Sequence, residues 1–210
     1  MSDRLADLLM ALPVFILSLS LHEYMHAWAA DRLGDPTPRA MGRLTVNPRA
    51  HLDPLGTVMF ILSALYGFFI GWAKPVPVNH FNFRHPRRDF AFVAVSGPGA
   101  NFMQAVAWYL LLRLVLLAMP AFSPLGTLLR QFTLIGVIVN VALLCFNIIP
   151  IPPLDGSRVL AWLLPPRQAA VLDRMEPFGF VVLLLLLYTG ILGMIYSPLL
   201  SWALHLFPGL

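Results

Sequence analysis

Residues 18–30 read Ser18-Leu19-Ser20-Leu21-His22-Glu23-Tyr24-Met25-His26-Ala27-Trp28-Ala29-Ala30, a His-Glu-x-x-His pattern set inside one of the most apolar runs of the chain. On an α-helix, residues four apart share a face, so His22 and His26 can offer two imidazole nitrogens to one metal ion, with Glu23 beside it. Alone the pattern is weak, because it arises by chance in soluble helices. Its flanks strengthen it: an ionisable side chain in hydrocarbon costs at least about 2.5–3.5 kcal/mol, so three of them in one apolar span need a compensating partner. A bound cation is the simplest. Catalytic zinc takes three protein ligands and keeps one position for water, whose proton a neighbouring carboxylate can accept. The spacing therefore predicts hydrolytic metal chemistry and calls for a third ligand elsewhere.

Working outward, the span containing this motif runs from about Leu5 to Leu33, ends at Gly34-Asp35-Pro36, and holds Pro13 as a candidate kink. Asp3, Arg4 and Asp7 at its start do not resemble the basic end of a secretory signal, so it is read as a retained transmembrane helix. Residues 39–52 are too polar to span; Arg43–Val46 fit either a short strand, whose edge could pair with an extended substrate, or a polar connecting loop. Residues 54–73 are apolar but carry Gly56, Gly67 and Gly71. Further spans are predicted at about 90–119, 125–149 and 178–196, with a short helix at 157–164 and an interfacial tail at 199–207.

The composition agrees with this map. The chain has 210 residues, 59% hydrophobic and 11% charged, and a mean hydropathy of +0.77, the signature of an all-α integral membrane protein, a polytopic helix bundle. It is read as a single membrane-embedded domain over 1–210, with a core at about 5–165. The formal charge of +4 does not point to nucleic acid, since the cations are scattered through short loops. Lys and Arg favour cytoplasmic loops. The clusters Arg32, Arg39, Arg43, Arg49 and Arg158, Arg167, Arg174 place the N-terminus outside and the His-Glu-x-x-His end on the cytoplasmic side. That orientation is consistent with Lys74–Arg88 only if 54–73 re-enters instead of crossing. Lys74 and Arg84–Arg88 read as headgroup contacts, and the single cysteine, Cys145, as a packed apolar residue.

A second polar island, Asn147–Gly156 (NIIPIPPLDG), closes the 125–149 span. Asp155 there can be a helix N-cap or a metal ligand. The topology puts it at the same membrane face as the histidines, and the need for a third ligand favours ligation. His51 reads as an exposed loop histidine, with a transient fourth ligand or a gate over the ion as the alternative. Asn101, in Ser96-Gly97-Pro98-Gly99-Ala100-Asn101, reads as a structural hydrogen-bonding residue between helices.

HEYMH in the first span, SGPGAN opening another and NIIPIPPLDG closing a third resemble the site-2 protease family of intramembrane zinc metalloproteases, and NPRAHLDPLGT and GWAKPVPVN resemble its small prokaryotic members without a PDZ domain. The resemblance covers about residues 18–160. It implies one zinc ion held by His22, His26 and Asp155, with Glu23 activating water. It further implies that Asn147 orients substrate or stabilises the oxyanion, a helix-end hydrogen bond being the alternative for that residue. A Ser157 stands where the family often has a second glycine. The implied substrates are membrane-spanning regulators or signal-peptide remnants, met in the lipid bilayer of a prokaryotic cell membrane. The rival functions are a metal or proton transporter and an inactive scaffold that binds spans without cutting; oligomeric state is left open.

Overall fold

The computed structural model describes residues 2–65, 71–120 and 122–209. Among the described residues nine α-helices follow in order: α1 (Ser2–Arg32), α2 (Thr37–Ala40), α3 (Pro54–Leu65), α4 (Pro86–Ala118), α5 (Pro124–Asn147), α6 (Asp155–Leu163), α7 (Pro166–Met175), α8 (Gly179–Tyr188) and α9 (Ile191–Leu204). Among the described residues there is no strand, so Arg43–Val46 is connecting loop; the nearest approach to a sheet is one antiparallel bridge between Leu52 and Ala73. Helices α1, α4 and α5 are each long and apolar enough to cross a membrane. The molecule is an all-α membrane bundle.

The stretch predicted as a span at 178–196 is bent within its length. Helix α8 stops at Tyr188, and α9 leaves at 83° to the segment before it. The cause is local: Gly190 takes φ +77°, the left-handed region that a glycine enters without steric cost. The tail at 199–207 comprises the second half of α9 and the turn after it, and packs Ala203 and Phe207 against Val137, Val141 and Cys145 of α5 and Ala105 of α4. Cys145 is buried there, as its apolar surroundings suggested. The question of whether 54–73 crosses or re-enters falls partly on residues 66–70, outside the described residues.

Helix α4 is the centre, packing against α1, α5 and α6. Nearer its N-terminus α1 packs Leu8, Ala11, Phe15 and Leu19 against Phe60 and Ala64 of α3, with the Phe15 and Phe60 rings stacked 3.8 Å apart. Arg87, read as a headgroup contact, also has protein partners. Its guanidinium donates to the carbonyls of Ala161 and Leu164, neutralising the negative end of α6 and tying it to the start of α4.

The end of α1 is fastened to the approach of α4 by one carboxylate. Asp35 is fully buried. Its Oδ1 accepts from the Thr37 hydroxyl (2.6 Å), the Asn82 amide (2.7 Å) and the Thr37 backbone N–H (3.1 Å), and its Oδ2 from the Asn79 N–H (2.7 Å). Burial pushes its pKa up, but the Thr37, Asn82 and Asn79 bonds outweigh burial and hold it below the usual carboxylate value. A carboxyl with a lowered native pKa stabilises the fold fully above the unfolded value of about 4 and ceases to do so as pH falls through the native one. Unfolding midpoints in micelles should therefore drop on acidification below about pH 4. Asp35→Asn should flatten that acid limb and cost about 1–3 kcal/mol at neutral pH, by leaving a buried donor unpaired.

Candidate metal centre

Helix α1 delivers His22 and His26 from successive turns of one face, and both are buried. Asp155 arrives from the far end of the chain as the first residue of α6. Its location is set by the turn before it. Pro150, Pro152 and Pro153 prevent a helix there, and Gly156 lies so close to the end of α5 that a Cβ on it would stand 2.2 Å from the Ile148 carbonyl oxygen. Only a residue without a side chain lets α6 begin at that point.

The three groups meet. Asp155 Oδ2 lies 3.3 Å from His22 Nε2 and 3.4 Å from His26 Nε2, and the two Nε2 atoms are 2.9 Å apart. Ligands at about 2.0–2.1 Å from a tetrahedral zinc stand about 3.3–3.4 Å from one another, so two of the three separations are those of a zinc site and the third is slightly tighter. The protonation pattern carries the stronger argument. His22 Nδ1 faces Asn101 Oδ1 at 2.6 Å and His26 Nδ1 faces the Val93 carbonyl at 2.8 Å. Both partners are acceptors, so in each neutral imidazole, the form a metal ligand takes, the proton sits on Nδ1 and Nε2 keeps a lone pair. Two lone pairs and a carboxylate oxygen then point at one another. Asp155 Oδ2 is buried with no hydrogen-bond partner. Such a trio is repulsive unless a cation sits among its members, and it is the one group among the described residues with ligand atoms this close. The residues present fit a zinc ion.

Helix α4 forms the wall behind the trio. A Cβ on Gly97 would stand 2.4 Å from His26 Nε2 and 2.6 Å from His22 Nε2, so the bare backbone there is what leaves the nitrogens room. Glu23 is also buried, and its Oε2 accepts from the Val76 N–H at 3.1 Å. Val76 belongs to an extended segment held in place by Arg43, which donates to the Lys74 (2.5 Å) and Pro75 (3.0 Å) carbonyls, and by the Lys74 N–H on the His51 carbonyl (2.8 Å).

His51 is corrected. It is fully buried, with Nε2 on the Thr45 carbonyl at 2.7 Å, and supports this loop instead of lying exposed. Asn147 Nδ2 donates to Leu143 O at 3.0 Å, a bond within the last turns of its own helix. Asn101, read as structural, is in direct contact with a candidate ligand. The clue available in the sequence was its place four residues after Gly97, which puts both on one face of α4.

An all-α membrane bundle that gathers a His-Glu-x-x-His helix and a distant aspartate around one cation site has the architecture of a membrane-bound metalloprotease. The comparisons agree. The chain is 38% identical to "Putative zinc metalloprotease YwhC" of Bacillus subtilis (strain 168), over 89% of this chain and 83% of that protein. It is 31% identical to "Putative zinc metalloprotease Rip2" of Mycobacterium tuberculosis (strain H37Rv), over 94% and 73%. With the protein MJ0611 of Methanocaldococcus jannaschii, named in the same way, the identity is 36% over 71% of each chain. No family model matches, and no solved structure matches. The chain belongs to the site-2 protease family of zinc metalloproteases.

Two substitutions test the centre. Asp155→Ala should reduce the zinc retained by purified protein to a small fraction of the parent's, read by metal analysis after dialysis. Gly97→Ala should also lose zinc, because the added methyl occupies the space between the two Nε2 atoms; retention of zinc in either variant would remove that residue from the site.

Proposed function

We propose that this protein is an intramembrane endopeptidase, hydrolysing peptide bonds within or beside the membrane spans of other proteins. The observation that carries the reading is the placement of the His22, His26 and Asp155 trio among helices that cross the membrane, with an acid, Glu23, one residue after the first histidine. A transport site needs ligands but has no use for a base in that position.

His22, His26 and Asp155 would hold the zinc. When bound, zinc supplies a water of lowered pKa and polarises the carbonyl to be attacked. Glu23 accepts the proton of the attacking water and delivers it to the departing nitrogen, so one carboxylate serves first as base and then as acid. The Val76 N–H, bonded to one of its oxygens, fixes the direction in which it points. Asn147 is assigned to the oxyanion, a role that requires its amide to leave Leu143 O and turn toward the site.

A peptide bond in a helical span is shielded by its own hydrogen bonds, so a substrate must unwind before it is attacked. An open cavity of about 320 Å³ reaches Asp155 between α4, the proline turn and α6, with Ala94, Pro98, Ile148, Pro150 and Leu160 among its lining residues. Its apolar walls suit unwound chain taken from the lipid. The Arg clusters support the orientation read from the loops, with the N-terminus outside and the centre toward the cytoplasm. The substrates assigned are membrane-spanning regulators or signal-peptide remnants.

Glu23→Gln separates the rival functions. In proteoliposomes carrying a designed transmembrane peptide, cleavage should fall by at least about 100-fold, the lower end of what general acid–base groups contribute, while zinc content stays near the parent's. Zinc or proton flux in the parent without any cleavage would establish a transporter instead.

A further inference from the structure

His26 and His22 solve the same problem by different routes. Each imidazole must carry its proton on Nδ1 for its Nε2 to be a ligand. His26 is held directly by a helix carbonyl, that of Val93. His22 is held by a side-chain amide, and an amide has two ends. Asn101 could as well present its NH₂, which would drive the proton to Nε2 and close that ligand.

What decides is two residues further away. Asn101 Nδ2 donates to Asn140 Oδ1 at 3.1 Å, and Asn140 Nδ2 donates to the Gly136 carbonyl at 2.9 Å. Both asparagines are fully buried, at an α4–α5 contact so close that a Cβ on Gly136 would stand 2.3 Å from the Trp108 ring. Water cannot substitute for a missing partner in such a place. A backbone carbonyl only accepts. Asn140 must therefore turn its NH₂ toward Gly136 and its oxygen toward Asn101, and Asn101 must then turn its NH₂ toward Asn140 and its oxygen toward His22. Reversing either amide brings two donors or two acceptors face to face, which in a low-dielectric interior is costly. Both histidines thus end on a helix carbonyl, one directly on α4 and the other through two amides on α5.

We propose that Asn140 is a positioning residue for the metal centre, acting through Asn101 to keep the His22 proton on Nδ1 and its Nε2 open to zinc. The inference rests on the reading of His22 as a ligand. Asn140 touches neither substrate nor metal; its effect is on the strength and geometry of zinc binding. Partners at this remove from a metal commonly change its affinity by about 10–100-fold.

The test is a double-mutant cycle on the purified full-length chain in micelles, with zinc affinity measured against a competing chelator and the visible spectrum recorded with cobalt in place of zinc. Asn140→Leu should weaken zinc by about 10–100-fold and alter the cobalt spectrum. Asp at position 101 presents oxygen whichever way it turns, so in an Asn101→Asp background the further change Asn140→Leu should cost less than about threefold, the uncoupling such a cycle detects. Mere packing by Asn140 would give the same loss in both backgrounds, and that result overturns the proposal. Asn140→Asp, neutral when buried, keeps a carbonyl for Asn101 and a hydroxyl for Gly136 and should hold zinc to within about threefold of the parent; a loss as large as that of the leucine variant also overturns it. His22→Ala run alongside separates the two levels. If it binds zinc as tightly as the parent, the ligand assignment itself fails and the relay with it, whereas loss in His22→Ala with none in Asn140→Leu refutes the relay alone.

Discussion

Three atoms with electron pairs to share, two imidazole nitrogens and a carboxylate oxygen, are packed within 3.4 Å of one another below the surface of an apolar bundle. In water such a cluster would drift apart or take up protons. In a low-dielectric interior the repulsion is stronger, and so is the attraction of any cation that enters. The rest of the fold can be understood as the scaffold that makes the cluster tolerable. One helix supplies two of the atoms from successive turns, a proline-rich turn brings the third from more than a hundred residues along the chain, and a glycine on the central helix leaves them the space.

The central helix contributes acceptors as well as room. Val93 and Asn101 lie on α4 about two turns apart and receive the Nδ1 protons of His26 and His22 respectively. This accounts for polar groups surviving in a span that has no membrane-crossing need of them. A buried asparagine in hydrocarbon is costly unless its hydrogen bonds are satisfied. Asn101 and Asn140 satisfy each other and hand the remaining oxygen to an imidazole, so a structural requirement and the orientation of a candidate ligand are met by the same bonds.

Irregular backbone gathers around this core and is itself held by charge and amide contacts. The irregular stretch from Lys74 to Val76 would leave carbonyls unpaired beside the centre. Arg43 takes two of them, and the Val76 N–H goes to Glu23. The acid beside the metal trio is therefore aimed by a loop and not by its own helix. His51, buried beneath that loop, carries its carbonyl to the Lys74 N–H and its ring to Thr45.

Much of this was readable from the order of residues. The 3.6-residue repeat puts His22 and His26 on one face whatever surrounds them, and long uncharged runs can only be satisfied as helices in lipid, so the spans and two of the candidate ligands are consequences of local geometry. Asp155 was reachable as a candidate because a metal needs a third ligand and the charge of the loops predicted the proline-rich turn at the same membrane face as the histidines. The remainder was not local. A buried amide in an apolar helix reads identically whether it bonds its own backbone or a histidine on another helix, which is why Asn101 looked merely structural and Asn140 drew no notice. His51 looked exposed because polar loops usually are, and only its bond to Thr45 showed otherwise; Arg87 read as a headgroup contact, and only the meeting of α4 with the end of α6 gave it carbonyl partners. Gly190 gave no sign that an apolar run would break, since a glycine permits a left-handed turn without demanding one. Periodicity and chemical need operate along the chain and survive in the sequence; direction, burial and the choice of hydrogen-bond partner arise only where separate helices meet.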